Sequence, residues 1–134
     1  MISELIISQR HWQFMQHHAE NAVPMESCGL IAGKGGLVQA VLSVTNITQD
    51  PKTFLMEPRQ QLKAFEWIES RGMELLGIYH SHPAGPETLS ATDVGEAAYP
   101  VVQVILSRER DQWQTRGFWI EAGQVFDVPI KVAH

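Results

Sequence analysis

A single cysteine, Cys28, is all that 134 residues hold. No intrachain disulfide can form, and no zinc site built on several cysteines. Positive charge is scarce as well: ten Lys and Arg stand against fifteen Asp and Glu, for a net charge of −5. No Lys/Arg-rich run exists, so the phosphate-neutralising surface of a nucleic-acid binder is missing. No apolar run approaches the roughly 18 residues of a membrane span. Met1 to Arg10 carries neither a basic n-region nor a small-residue cleavage site, so a secretory signal is not expected and the expected compartment is the cytosol. There is no repeat of 20–50 residues and no low-complexity segment. What remains is 44% hydrophobic and 19% charged, the balance of a globular chain. One domain over residues 1–134 is expected.

The order of elements can be read from periodicity. Ser8 suits an N-cap, and Trp12, Met15, Ala19 and Ala22 follow at helical spacing until Pro24 closes the helix. Cys28 to Ala32 is a short apolar run that suits a buried strand. Gly33-Lys-Gly-Gly36 predicts a hairpin turn into a second strand, Leu37 to Val44. Thr53 to Met56 is a candidate third. Pro58 opens a helix with Leu62, Phe65 and Ile68 on one face, and Gly72 stops it. Glu74 to His80 reads as a strand, Ser81 to Leu89 as a Pro/Gly loop, and Ser90 to about Ala98 as a short helix broken by Pro100. Val101 to Leu106, Trp113 to Ile120 and Gln124 to Val132 close the chain as strands, with Arg108 to Asp111 a polar turn. Helices interleaved with strands and ending in an antiparallel run predict an α/β fold: a single mixed β-sheet flanked by helices.

The chemistry is concentrated in Tyr79-His-Ser-His-Pro-Ala-Gly-Pro-Glu-Thr-Leu-Ser-Ala-Thr-Asp93. His80 and His82 are two apart, so at the end of a strand both imidazoles point to one face and can hold one metal. Gly85 and Pro86 reverse the chain, and Asp93 follows. Two His and a carboxylate with an open fourth position form the ligand set of a catalytic zinc site. Ser90-Ala-Thr-Asp93 also reads as a capping box, which competes for the Asp93 oxygens. HxHP followed by Ser and Asp at fixed offsets should arise by chance in roughly one chain of this length in 10⁵. Cys28 reads as a buried core thiol, because the bases that would activate it are claimed by the metal reading. His11, His17, His18 and His134 read as surface positions without a metal role.

This string resembles the signature of the JAMM, or MPN+, zinc metalloproteases: H-[ST]-H-P, six residues, Ser, two residues, Asp. His80 to Pro83, the six residues Ala84 to Leu89, Ser90 and Asp93 match it without a gap. Pro24-Met-Glu-Ser-Cys-Gly-Leu-Ile-Ala-Gly33 is similar to the family's Glu-x-x-Gly segment, which singles out Glu26 among the fifteen acids. The resemblance implies a JAMM/MPN-like, cytidine-deaminase-like architecture, and a metallopeptidase with one Zn²⁺ per chain held by His80, His82 and Asp93. It implies that Glu26 holds the attacking water and acts as general base, and that Ser90 donates a hydrogen bond to the oxyanion. Glu26 lies 54 residues ahead of His80 (26 to 80), so only the fold can bring it there.

Within the family, Pro51-Lys-Thr-Phe, Gln60-Gln-Leu-Lys-Ala-Phe, Ile78-Tyr-His-Ser-His and Val128-Pro-Ile-Lys-Val132 look most like the small prokaryotic members that process sulfur-carrier proteins. Pro83 keeps the proline of the wider family. That likeness implies hydrolysis after the C-terminal Gly of a small ubiquitin-like β-grasp carrier with a Gly-Gly tail, for example releasing cysteine. Thr53 to Met56 is a candidate edge for such a tail. Three other readings stay open. A general deubiquitinase-like isopeptidase would share the site. A non-catalytic MPN-type scaffold would have lost metal ligands that this chain keeps. A nucleobase deaminase would need H-x-E and P-C-x-x-C, whereas His82 precedes Pro83-Ala84 and Cys28 stands alone.

Overall fold

The computed structural model describes residues 1–91, 93 and 99–133. Its elements are β1 (Leu5–Ser8), α1 (Gln9–Ala22), β2 (Cys28–Lys34), β3 (Leu37–Val44), α2 (Pro58–Ser70), β4 (Glu74–His82), β5 (Val102–Glu109), β6 (Gln112–Glu121), β7 (Gln124–Val128) and β8 (Ile130–Ala133). All eight strands form one mixed sheet in the order β7-β6-β5-β4-β2-β3-β1-β8. The central strand β4 runs antiparallel to β2 and parallel to β5. The fold expected from the sequence, a single mixed sheet flanked by helices, is the one observed.

Local chemistry explains the helix limits. Ser8 caps α1 by accepting from the His11 N–H at 3.1 Å, and Met15 and Ala19 form its buried face. Pro58 sits in the first turn of α2, where Glu57 accepts from the Gln60 N–H at 2.7 Å. The helix stops at Gly72, whose φ of +68° lets Met73 N–H return to the Ile68 carbonyl at 3.1 Å. The sheet buries both faces. Leu5, Ile7, Ile31, Leu76, Tyr79 and Val104 pack with α1 on one side. Cys28, Leu30, Val44, Ile78 and Val101 pack with α2 on the other. A sheet covered on both faces needs near-continuous apolar strands, which is what β2, β4 and β5 supply.

The structure corrects several expectations. Leu5 to Ser8, where periodicity predicts no element before the Ser8 cap, is a strand whose alternate residues Leu5 and Ile7 are buried. Thr53 to Met56 is not a strand: one bridge joins Met56 to Asn46, and the Leu55 N–H goes to the Asn46 side chain instead of a ladder. In α2 the buried stripe runs through Ala64 and Ile68, and Leu62 is 58% exposed. β4 continues through Ser81 and His82, because both pair with β5. Gln124 to Val132 is two strands, split at Pro129. β7 lies on β6 at one end of the sheet and β8 on β1 at the other. The sheet therefore curls until its two edge strands are one residue apart along the chain, and the Pro129 carbonyl accepts from the Leu5 N–H at 2.9 Å. His18 is not free at the surface: its Nδ1 lies 2.7 Å from the Tyr79 hydroxyl, and burial lowers its pKa. Ala91 and Asp93 are helical as expected; residues 94–98 of that expected helix and His134 lie outside the described residues. No helix among the described residues is long and apolar enough to cross a membrane.

One glycine sets the distance between β2 and the ring of Tyr79. A Cβ on Gly29 would meet Tyr79 Cε2 at 2.2 Å and the Leu42 carbonyl oxygen at 2.4 Å. Gly29→Ala is expected to lower unfolding free energy by about 3 kcal/mol, read from urea denaturation; a loss below about 0.5 kcal/mol would show that the ring and strand can shift apart at little cost.

Candidate metal centre

The centre forms where β4 ends. Cys28 is in register with His80 across the β2–β4 pairing, so the segment just before β2 lies beside the two histidines. Three hydrogen bonds fix that segment. Ser27 N–H donates to Ser81 Oγ at 2.7 Å, Ser27 Oγ donates to Ser81 Oγ at 3.1 Å, and Ser81 N–H donates to the Ser27 carbonyl at 3.0 Å. Ser81 thus serves from the opposite face of the strand that presents His80 and His82. The outcome is that Glu26 is buried next to them: one donor atom each from Glu26, His80 and His82 all lie within 4.8 Å of one another.

The donor geometry is close. His80 Nε2 and His82 Nε2 are 3.1 Å apart. Asp93 places Oδ1 3.2 Å from His80 Nε2 and Oδ2 3.3 Å from His82 Nε2. Donors bound at about 2.0–2.1 Å around one tetrahedral ion sit about 3.3 Å from each other, so these separations fit a single small ion. The His82 tautomer fits too: Nδ1–H donates to the Pro86 carbonyl at 2.8 Å, which leaves Nε2 to ligate. Glu26 Oε1 is buried and has no hydrogen-bond partner among the described residues, an acceptor at the edge of the cluster. His80 is held from the side by Phe54, whose ring stacks on it with centroids 4.7 Å apart and planes at 26°.

The capping box and the ligand reading of Asp93 turn out to coexist. Ser90 N–H donates to Asp93 Oδ2 at 2.8 Å and Asp93 N–H donates to Ser90 Oγ at 3.0 Å. The cap fixes the carboxylate, and its oxygens still reach both imidazoles. Since the Ser90 oxygen is used as an acceptor there, its hydroxyl hydrogen is available to donate.

The electrostatics divide the residues by task. Burial pushes the Glu26 carboxyl up to about 7, with His82 opposing and the Asp93 and Asp50 carboxylates adding to the rise. Burial keeps His80 low and neutral against the pull of Asp93. Burial also works against a charge on His82, but Asp93, the Pro86 carbonyl and Glu26 outweigh it and raise the pKa. Burial would raise Asp93, yet its bonds from His80 and His82 hold it well below the usual carboxylate range. Cys28 is pushed up to about 12 by burial and then by Glu26, and it donates to the Val44 carbonyl at 3.4 Å. It is a protonated core thiol, as expected from the sequence.

All five residues singled out from the sequence, Glu26, His80, His82, Ser90 and Asp93, therefore meet at one place. Sequence reasoning missed their supports: Ser81, Phe54, Pro86 and Asn46. Only Ser81 and Pro86 had a visible signal, since both lie inside the motif.

Comparison with known proteins gives the family of the chain. The family model described as prokaryotic homologs of the JAB domain matches residues 8–120, and the chain belongs to that family. Among curated proteins it is similar to a probable TtuB-protein conjugate cleaving protease of Thermus thermophilus, 37% identical over 108 residues, which cover 80% of this chain and 70% of the relative. It is 32% identical to a desampylase of Pyrococcus furiosus, covering 97% and 91% of the two chains. It is 31% identical to a CysO-cysteine peptidase of Mycobacterium tuberculosis, covering 88% and 84%. Among solved structures, a Desulfitobacterium hafniense protein superposes with a TM-score of 0.87 at 32% identity, over 97% of this chain and 93% of its own. A JAB1/MPN domain protein of Archaeoglobus fulgidus shares the fold, with a TM-score of 0.61 at 18% identity and 98% of each chain covered.

Metal binding at this centre needs neutral imidazoles, so protons compete with it. His82, raised above its ordinary 6.5, is the group at which they compete. Zinc affinity is expected to be highest at pH 8 and to fall steadily as pH drops to 6, measured by competition with a chromogenic chelator. An affinity flat across that range would place the metal elsewhere.

Proposed function

We propose that this chain is a zinc metallopeptidase that hydrolyses the amide or isopeptide bond following the C-terminal glycine of a small ubiquitin-like carrier protein. The reading rests on one observation above others. Two imidazole nitrogens and a carboxylate converge at 3.1–3.3 Å beside a buried glutamate, one oxygen of which has no partner among the described residues. In this reading His80, His82 and Asp93 hold the ion. When bound, zinc lowers the pKa of water to about 7 and polarises a carbonyl.

The chain's own residues supply the rest. Glu26, a buried carboxyl beside the two imidazoles, is placed to exchange a proton with the attacking water. It takes the proton of the attacking water and delivers it to the leaving amine. Ser90 aims its free hydroxyl hydrogen at the carbonyl oxygen as negative charge develops there, an interaction stronger in the transition state than in the ground state. Pro86 keeps His82 in its ligating tautomer. The relatives' names support the substrate class: one concerns TtuB-protein conjugates and another CysO-cysteine. The leaving group is then a free amino acid such as cysteine or the amine of a second protein. A glycine tail, narrow and extended, is the shape such a cleft can admit.

Native mass spectrometry is expected to find about one zinc per chain in the wild type and little in His82→Ala. Glu26→Gln should keep the metal and lose turnover of a carrier–cysteine conjugate by about a thousandfold, and Ser90→Ala should lose about a hundredfold. Full activity in Glu26→Gln, or a wild type that takes up no zinc when it is added, would overturn the reading.

A further inference from the structure

We infer that Asn46 is a positioning residue for this site, holding the backbone of Glu26 and the segment that carries Phe54 in one fixed relation. The inference rests on the peptidase reading for the meaning of Glu26, but its geometry stands apart from it. Asn46 follows β3 and lies in an irregular segment, yet its side chain uses its whole hydrogen-bonding capacity. Nδ2 donates to the Glu26 carbonyl at 2.9 Å and to the Thr53 carbonyl at 3.3 Å. Oδ1 accepts from the Thr48 N–H and the Leu55 N–H, both at 3.0 Å. An asparagine amide offers two donors and one carbonyl oxygen with two lone pairs, so nothing is left over.

The partners tell what the residue does. One bond reaches the main chain of Glu26 itself. Two more bracket Phe54, through Thr53 on one side and Leu55 on the other, and the fourth holds the Thr48 N–H. Phe54 in turn stacks on His80. Asn46 therefore ties the general base to the wall behind a proposed metal ligand, across segments twenty residues apart in one direction and seven in the other. Ser27 anchors the Glu26 segment to β4 on its other side. With both anchors, the base has a fixed place; with one, the Glu26 backbone can turn about Ser27. Displacements of about 1 Å at a reacting group can cost roughly a hundredfold in rate.

Asn46→Asp is nearly isosteric and keeps both acceptor bonds, but it removes both donors and sets a carboxylate against two carbonyls. Thr48→Val is the control. It loosens the same segment by removing the Thr48 hydroxyl contacts to Thr53 and to the Asp50 N–H, and it leaves all four Asn46 hydrogen bonds in place. The probes are the Co²⁺-loaded full chain, whose visible absorption reports the surroundings of the ion, and turnover of a carrier–cysteine conjugate by the Zn²⁺-loaded chain. Asn46→Asp is expected to bind metal within about threefold of wild type, to shift the Co²⁺ spectrum in the direction that Glu26→Gln shifts it, and to lower kcat at least tenfold with KM changed less than about threefold. Thr48→Val is expected to leave spectrum and kcat as in wild type. An unchanged Co²⁺ spectrum in Asn46→Asp overturns the inference, as does an equal loss of kcat in Thr48→Val. A wild type that turns over no conjugate, while Asn46→Asp still moves the spectrum, overturns the peptidase reading and upholds the positioning role.

Discussion

Everything at the site depends on the register of β2 against β4. Cys28 opposite His80, with Ser27 bonded to Ser81 next to that pair, fixes where the chain enters the sheet. A one-residue slip would turn every side chain of β2 to the other face. It would send Cys28 and Leu30 towards α1 and carry Glu26 away from the histidines. The cost of such a slip is set by packing far from the site. Gly29 admits the ring of Tyr79 and no other residue fits there. Leu30 and Ile31 are buried on opposite faces in separate clusters. The accuracy of the site is thus underwritten by the apolar layers on both sides of the sheet, and the polar contacts refine a position already chosen.

A second principle is the double use of local devices. The Ser90–Asp93 cap completes a helix start and aims a carboxylate at two imidazoles. The turn after His82, closed by the Gly85 N–H on the His82 carbonyl, brings round the Pro86 carbonyl that orients His82. The hydroxyl of Ser81 satisfies a buried backbone N–H and joins two strands. Buried polar groups are costly unless paired, and here each pairing also constrains a group at the cluster.

This division explains what the sequence disclosed and what it hid. His80 and His82 were legible because a period of two on a strand is a direct statement about one face. Asp93 was legible through its spacing, and the capping box that competed with it proved to be the same structure seen from the other side. Glu26 had no periodic or local signal; only the likeness of its surrounding segment to a known family distinguished it from the other acids. Asn46, Phe54 and Ser81 act through main-chain bonds or ring contacts that cross 20 to 54 residues of sequence, and no local pattern encodes such a contact. The same limit applied to the fold. The helices and most strands followed from periodicity and stop signals, whereas β1 is only four residues long and β7 and β8 read as one run. Their separation needed the curl of the whole sheet.

That curl has a consequence for how the chain assembles. β2, β3 and β4 lie side by side in the sheet, and β5, β6 and β7 follow as successive hairpins. The hairpin pairings among these, β2 with β3, β5 with β6 and β6 with β7, close short loops and form early. β1 has to wait: its pairing with β8 joins residues 5–8 to residues 130–133, the longest loop the fold closes. On a ribosome, β1 emerges long before β8, so its outer edge stays open until β8 arrives. Unpaired strand edges invite association with other chains. The vulnerable stage is therefore the wait for β8, when two short strands far apart along the chain must meet before a neighbour intervenes.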